Sequence, residues 1–384
     1  MATEVQSSQP STEEQPGKMY RHLPVAAPVL NGNEKSYVTD CLDSTWISSN
    51  GKYIEAFETQ FAQYCGTKQA LTCSNGTVAL HLALMAYDIK PGDEIIMPTL
   101  TYVATANAVA YCGARPIFVD SEPDTWNMDP KLIEALITPQ TRGIIVVHLY
   151  GHPVDMQPVM DIAQRYGLFV IEDAAEAHGA EYLGRRVGSI GDIGTFSFYG
   201  NKVITTGEGG MVVTNNEELA AKMRQLKGQG MDNKQRYWFP VLGYNYRMTN
   251  IAAAIGLAQL EKIDWHIERR RENAAWYREL LAESSAFILP VEKPWAKNVY
   301  WMTSLVLDEN LAVSRDQLMA ALADQGIETR PFFYPMHVLP MYRDDSCRFP
   351  VADRLSARGI NLPSSASLTY SDIEFVCNAL KSII

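Results

Sequence analysis

Cysteine is scarce. The six in 384 residues (Cys41, Cys65, Cys73, Cys112, Cys347 and Cys377) are scattered, and no two form a C-x-x-C pair. Such thiols exclude a disulfide framework and read as reduced groups of a cytoplasmic protein. Long hydrophobic runs are missing too. No window of about 18 uninterrupted apolar residues occurs, so a membrane-spanning helix is not expected, and no basic, then apolar, stretch opens the chain as a secretory signal would. Positive charge is in deficit: 33 Lys and Arg face 44 Asp and Glu, a formal net charge of −11. That balance, with no helix-turn-helix segment or basic arm, argues against a nucleic-acid partner. Glycine signatures of nucleotide sites fail as well. Gly188, Gly191 and Gly194 do not fit G-x-G-x-x-G, and GNKVIT lacks the glycine spacing of a P-loop. His148 and His152 are four apart, but Gly151 and Pro153 forbid the helix that would aim both at one ion, so no metal is expected.

What remains is a chain rich enough in apolar residues, 47%, to build two domains around a large core. Residues 1–20, dominated by Ser, Gln, Glu, Pro and Thr, are expected to form a disordered tail. A large domain is expected over 21–265 and a smaller C-terminal α+β domain over 266–384. Helices are predicted over 34–42 and 53–64, the second with Ile54, Phe57, Phe61 and Tyr64 on one face. A strand at 70–73 leads through Ser74, Asn75, Gly76 and Thr77 into an apolar helix. Strand-helix-strand units follow twice, each crossover long enough for a right-handed connection, so the fold class is α/β with a mainly parallel central sheet. Thr249 or Asn250 caps a long helix running from about 251 to 285. Beyond it YWMTSLVL alternates as a half-exposed strand, Ser314 caps an amphipathic helix, and DIEFVCNALKSII closes the chain as a helix.

Candidate chemistry is concentrated between Val170 and Val213. One apolar run ends in Asp173; a second delivers Lys202 into a loop with no other cation before Val213. Ligands of open α/β sheets sit just past the carboxyl ends of such strands, so the acid and the amine should share a crevice. Pyridoxal phosphate chemistry requires this pair. The amine condenses with the cofactor aldehyde, while the aspartate keeps the pyridine nitrogen protonated so that the ring accepts electrons. Gly76 and Thr77, where a strand meets a helix, offer free amides and the helix dipole to a phosphate. Tyr102, beyond a strand end, could stack on a ring or simply start a helix. His178 is expected as a packed turn residue rather than a partner of the acid. Of two basic clusters, one (Lys222, Arg224, Lys227, Lys234, Arg236) is either an anion site or a helix face. The other (Arg269, Arg270, Arg271), flanked by Glu268 and Glu272, reads as a solvated face.

The strings EDAAEAHGA, GTFSFYGNK and ITTGEGGMV resemble the signature of the DegT/StrS family, and similar matches run from about Pro24 to the C-terminus. Those proteins are fold-type I, pyridoxal 5'-phosphate-dependent aminotransferases that make amino sugars and aminocyclitols. The resemblance implies that Lys202 carries the cofactor, Asp173 pairs with the pyridine nitrogen, and Ser197, Gly76 and Thr77 hold the phosphate. It implies stacking by Tyr102 and a cofactor contact from Glu176, which stands where the family often has glutamine. Asn245 would cross a homodimer interface to the neighbour's phosphate, with Tyr244 and Arg247 nearby. Arg247, Arg330, Tyr334 and His337 would face the substrate. The amino donor implied is L-glutamate. The acceptor implied is a sugar nucleotide, best matched by GDP-4-keto-6-deoxymannose aminated at carbon 4. Other keto sugars and keto-cyclitols share much of this text. A dehydratase subgroup has histidine at the lysine position, and Lys202 favours amino transfer over it; a non-catalytic cofactor-binding regulator is the further alternative.

Overall fold

Short Val-, Ile- and Phe-rich runs bounded by Gly and Asp become interior strands because both their faces find cover. The computed structural model describes residues 22–232 and 234–384; the tail expected over 1–20 lies outside them. The strands of the main sheet begin with β1 (Gln69–Cys73), β2 (Glu94–Pro98), β3 (Arg115–Val119), β4 (Thr141–Val147) and β5 (Phe169–Asp173). A small hairpin follows, β6 (Glu181–Tyr182) and β7 (Arg185–Arg186), and then β8 (Ile193–Ser197) and β9 (Gly210–Thr214). The seven-stranded sheet has the order β1-β9-β8-β5-β4-β2-β3. Strands β3, β2, β4, β5 and β8 pair in parallel, and β9 runs antiparallel to both β1 and β8. The expected mainly parallel sheet is therefore present, with one reversed strand.

Its helices are α1 (Glu34–Asp43), α2 (Lys52–Cys65), α3 (Gly76–Ala86), α4 (Ala104–Tyr111), α5 (Met156–Tyr166), α6 (Glu217–Lys227) and α7 (Asn250–Leu260). Alternation along each strand divides them. Ile95, Met97, Ile145, Ile171, Ile193 and Val212 turn to α3, α4 and α6. On the opposite face Ile96, Ile144, Val146 and Val170 meet α5, while Phe196, Met211 and Val213 meet α2 and α7.

The long helix expected from 251 to 285 is two helices, α7 and α8 (Ile263–Leu280). Thr249 caps the first, as expected. The break has no Gly or Pro behind it. Gln259 donates to the Val29 carbonyl and to Glu34, and Glu261 accepts from Asn33 and Tyr37, so side chains anchor the end of α7 to α1. Lys262 then leaves helical geometry at φ −113°.

The C-terminal part adds β10 (Phe287–Ile288), β11 (Ala296–Lys297), β12 (Thr303–Leu307), β13 (Arg330–Pro331) and β14 (Gly359–Leu362), with α9 (Arg315–Asp324), α10 (Pro350–Arg358) and α11 (Tyr370–Ile383). Its four-stranded antiparallel sheet has the order β10-β12-β14-β13. Ser314 caps α9 in a full capping box. Strand β12 is buried throughout rather than half-exposed. Leu305 and Leu307 pack with α8 and α11, while Val306 joins the large core on the other side. The arginine triplet on α8 is likewise not a solvated face. Arg269 donates to the Ala366 and Leu368 carbonyls, and Arg271 to Glu292 and the Asn298 carbonyl. Arg270, 3% exposed, donates to the carbonyls of Trp301 and Ser364.

Candidate active site

Parallel pairing brings the carboxyl ends of β5 and β8 side by side, with Asp173 opposite Thr195. A cavity of about 710 Å³ opens there. Asp173, the last residue of β5, is buried; its Oδ2 accepts from the Thr105 hydroxyl at 2.8 Å and its Oδ1 from the Ala175 amide at 3.2 Å. Burial pushes its pKa up against these bonds and the nearby Lys202. Beyond β8 the chain turns through Gly200 and Asn201, and the Lys202 amide closes that turn on the Tyr199 carbonyl at 2.9 Å. The Lys202 amine lies 3.7 Å from Glu176 Oε1 and 3.8 Å from the centre of the Trp301 ring. Burial lowers its pKa and raises that of Glu176 to about 7. Both groups are thus pushed toward their uncharged forms, and a weakly held proton on nitrogen is what a nucleophilic amine needs.

The phosphate end is built from α3. Asn75 caps the helix by accepting from the Val78 amide, while the first-turn amides at Gly76 and Thr77 have no intrahelical partner and border the cavity. A Cβ on Gly76 would stand 2.7 Å from Ser197 Cβ. Only glycine therefore lets the Ser197 hydroxyl come this close to the helix N-terminus. Amides, dipole and hydroxyl together suit a phosphate, the buried acid suits a pyridine nitrogen, and Lys202 suits the aldehyde. The donor set fits pyridoxal phosphate.

Tyr102 is 56% exposed at the cavity wall, its ring 5.7 Å from that of Phe333. Arg330 lines the same wall from β13. The structure thus gathers Lys202, Asp173, Gly76, Thr77, Ser197, Tyr102, Glu176 and Arg330 around one cavity. Asn245, Arg247, Tyr334 and His337 are not among its lining residues. Asn245 and Arg247 are exposed and bonded to each other, Arg247 Nη2 donating to Asn245 Oδ1 at 3.1 Å. Tyr334 is 59% exposed. His337 is buried, its Nδ1 2.7 Å from the Thr99 hydroxyl and its Nε2 3.0 Å from Asp353 Oδ1, so both ring nitrogens are committed to holding the proline-rich loop. Thr105, Trp301 and Phe333 also reach the site. Sequence reading missed them because Thr105 sits in an ordinary helix pattern, Trp301 in the alternating run that leads into β12, and Phe333 in a proline-rich loop where its ring carries no ligand signal of its own.

His178 packs between Phe196 and Phe198, with neither ring nitrogen bonded, and burial lowers its pKa to about 3. It is the packed turn residue expected. His148 meets Glu172 at 3.1 Å, and among the described residues no group of three or more His, Cys, Asp or Glu could hold a metal. The basic cluster on α6 is largely paired: Lys222 with Asp88, Arg224 and Lys227 with Glu58. Among the described residues, no helix is long and apolar enough to cross a membrane.

A mainly parallel sheet, a buried lysine and aspartate at adjoining strand ends, and a glycine-floored anion cradle define a pyridoxal phosphate-dependent aminotransferase of the fold-type I architecture. The DegT/DnrJ/EryC1/StrS aminotransferase family matches residues 28–381, and the chain belongs to that family. It is 53% identical to a GDP-perosamine synthase of Caulobacter vibrioides, covering 94% of this chain and 98% of that one. It is 52% identical to a protein of the same name from Escherichia coli O157:H7, with the same coverage. Among solved structures, DesV of S. venezuelae superposes with a TM-score of 0.86 at 36% identity, covering 91% of this chain and 94% of that one.

Proposed function

We propose that this aminotransferase moves an amino group from L-glutamate to carbon 4 of a nucleotide-linked 4-keto-6-deoxy sugar, taking GDP-4-keto-6-deoxymannose to GDP-perosamine. The buried Lys202 amine, facing Asp173 and Glu176 across one cavity, carries the reaction type. The acceptor rests on the identity, above 50% over nearly the whole chain, to proteins named GDP-perosamine synthase. Bound here, pyridoxal phosphate supplies the electron sink that lets a C–H bond beside nitrogen break. Asp173 holds a proton at the pyridine nitrogen, and Gly76, Thr77 and Ser197 fix the phosphate so that the ring cannot drift. Lys202 Nζ takes the proton from the donor's α-carbon and returns it on the other side of the transfer; in the second half-reaction it delivers a proton to sugar carbon 4. Glu176 lies near enough to set how readily that amine gives up its proton, and Tyr102 closes one face.

We further infer a cytoplasmic homodimer with shared sites and the two-domain division at about residue 265. Asn245 and Arg247 stand exposed outside their own cavity, a few positions along the chain from exposed Trp238, Phe239 and Leu242. Exposed apolar side chains so close in sequence to two exposed polar ones suit a second copy.

The test is the visible spectrum of the holoprotein, first with L-glutamate and then with GDP-4-keto-6-deoxymannose, with the product identified by mass. The cofactor's visible band should fall with glutamate and return with the keto sugar as one amine appears in the product. No return with this sugar, but return with another keto sugar or a cyclitol, overturns the acceptor. No response to any amino acid overturns the transferase reading itself.

A further inference from the structure

Tyr150 is not among the cavity's lining residues, yet it contacts three that are, Glu176, Trp301 and Phe333. It sits in the short 3-10 turn Leu149–Gly151 that follows β4, with φ 53° and ψ 14°. A bulky residue seldom occupies this left-handed region, and when it does so beside a site the surrounding structure is enforcing it. Here the unusual backbone aims the Tyr150 amide at Glu176 Oε2, 2.8 Å away, which leaves Oε1 to face the Lys202 amine at 3.7 Å. Gly151 must follow it, because a Cβ there would come within 2.9 Å of the Trp301 amide nitrogen.

The side chain points the other way. The Phe333 amide donates to the Tyr150 hydroxyl at 3.3 Å, and the tyrosine ring packs on Phe332 at 4.8 Å and Phe333 at 5.5 Å. It also lies nearly parallel to Trp301, the ring over which Lys202 Nζ sits. Trp301 Nε1 in turn donates to the carbonyl of Asn201, the residue before Lys202. One buried residue, 5% exposed, therefore joins the acid beside the amine to the segment 330–333 that carries Arg330 and Phe333.

We propose that Tyr150 is a positioning residue that couples the placement of Glu176 beside Lys202 to the placement of the acceptor-side wall at 330–333. Its amide fixes the carboxyl and its phenol fixes the wall, so neither can shift without the other. The acceptor part of this assignment rests on the proposed amination of a keto sugar; the structural part does not.

Three variants test it, read first by hydrogen exchange of the peptide containing Phe333, in the protein with and without cofactor. Tyr150→Phe keeps the amide bond to Glu176 and the ring packing but removes the acceptor for the Phe333 amide. Exchange there should rise about fivefold, with KM for the keto sugar rising by a similar factor and the glutamate half-reaction changing less than about twofold. Glu176→Gln keeps an acceptor for the Tyr150 amide and should leave exchange at Phe333 unchanged. Glu176→Ala removes that acceptor and should raise it, although residue 176 does not touch 333. Unchanged exchange in either Tyr150→Phe or Glu176→Ala overturns the coupling. So does a uniform loss in Tyr150→Phe, in which melting temperature and both half-reactions fall together, since that is what a core residue without a positioning role would give. If wild type fails to turn over GDP-4-keto-6-deoxymannose, the acceptor is wrong while the exchange measurements still decide the coupling.

Discussion

Arg270 should be the most costly single side chain to lose outside the cofactor site. It is 3% exposed in α8 and, among the described residues, pairs with no carboxylate; its Nη1 donates to the carbonyls of Trp301 at 3.0 Å and Ser364 at 2.8 Å, and its Nη2 reaches the Lys202 carbonyl at 3.5 Å. Burial pulls its pKa down to about 10, so it remains a cation at neutral pH. Arg270→Met fills similar space but leaves the two close carbonyls without a donor. Each unsatisfied buried carbonyl costs about 1–3 kcal/mol. Part of that is offset because a charge no longer has to be taken out of water, so a net loss of about 3 kcal/mol is expected. Because the same guanidinium touches the main chain of Lys202, the cofactor should also be held less tightly. The assay is urea unfolding at fixed protein concentration and pH 7, with and without pyridoxal phosphate. The first transition should move to lower urea in both, and further in the cofactor-loaded protein. A shift under about 0.5 kcal/mol would refute the claim that these carbonyls depend on Arg270.

Lys202→Ala should abolish the visible band of the bound cofactor and both half-reactions, read by absorbance and single-turnover kinetics. In Gly76→Ala the new methyl group meets Ser197, so cofactor affinity by fluorescence titration should fall by tenfold or more, consistent with about 1–3 kcal/mol of overpacking. Glu176 has a pKa raised by burial from 4.5 to about 7, so the folded protein holds its proton longer than the unfolded chain does. Stability is therefore lost as pH rises from about 4.5 through 7, and Glu176→Gln should remove that loss: its melting temperature relative to wild type should be higher at pH 8 than at pH 5. If sites are shared between two copies, mixing Lys202→Ala with Asn245→Ala chains after subunit exchange should restore about a quarter of wild-type activity, because half the dimers then hold one intact site; no recovery would place Asn245 in its own chain's site.

Much of the fold was legible because it is written locally. The alternating strands, the Ser314 and Thr249 caps and the glycine junction at Gly76 each depend on neighbours within one turn or one strand, and the structure has all of them. The reacting residues are local too: Asp173 and Lys202 belong to one continuous run of text. What supports them is not. The acid's partner, Thr105, is 68 residues away, and the carbonyls that make Arg270 a buried clamp rather than a surface charge are 31 and 94 residues away. Flanking glutamates made the arginine triplet read as solvated because they say nothing about which carbonyls will arrive from elsewhere. The same reasoning explains β12, whose alternation records one core while the second core on its other face comes from another part of the chain.

The residues expected to touch substrate divide along a physical line. Arg330 is carried by an edge strand and lines the cavity, whereas His337, two residues after Pro335, spends both nitrogens on Thr99 and Asp353 to keep that loop in place. A stiff loop needs internal bonds, and the side chains that make them are no longer available to a ligand. Tyr334, on the same loop, stands 59% exposed. Asn245 and Arg247 form a third group, exposed and hydrogen-bonded to each other. Neither lines the cavity of its own chain. If the proposed dimer forms, the phosphate in a second copy's cradle is the anion they would meet, and the subunit-mixing experiment decides it.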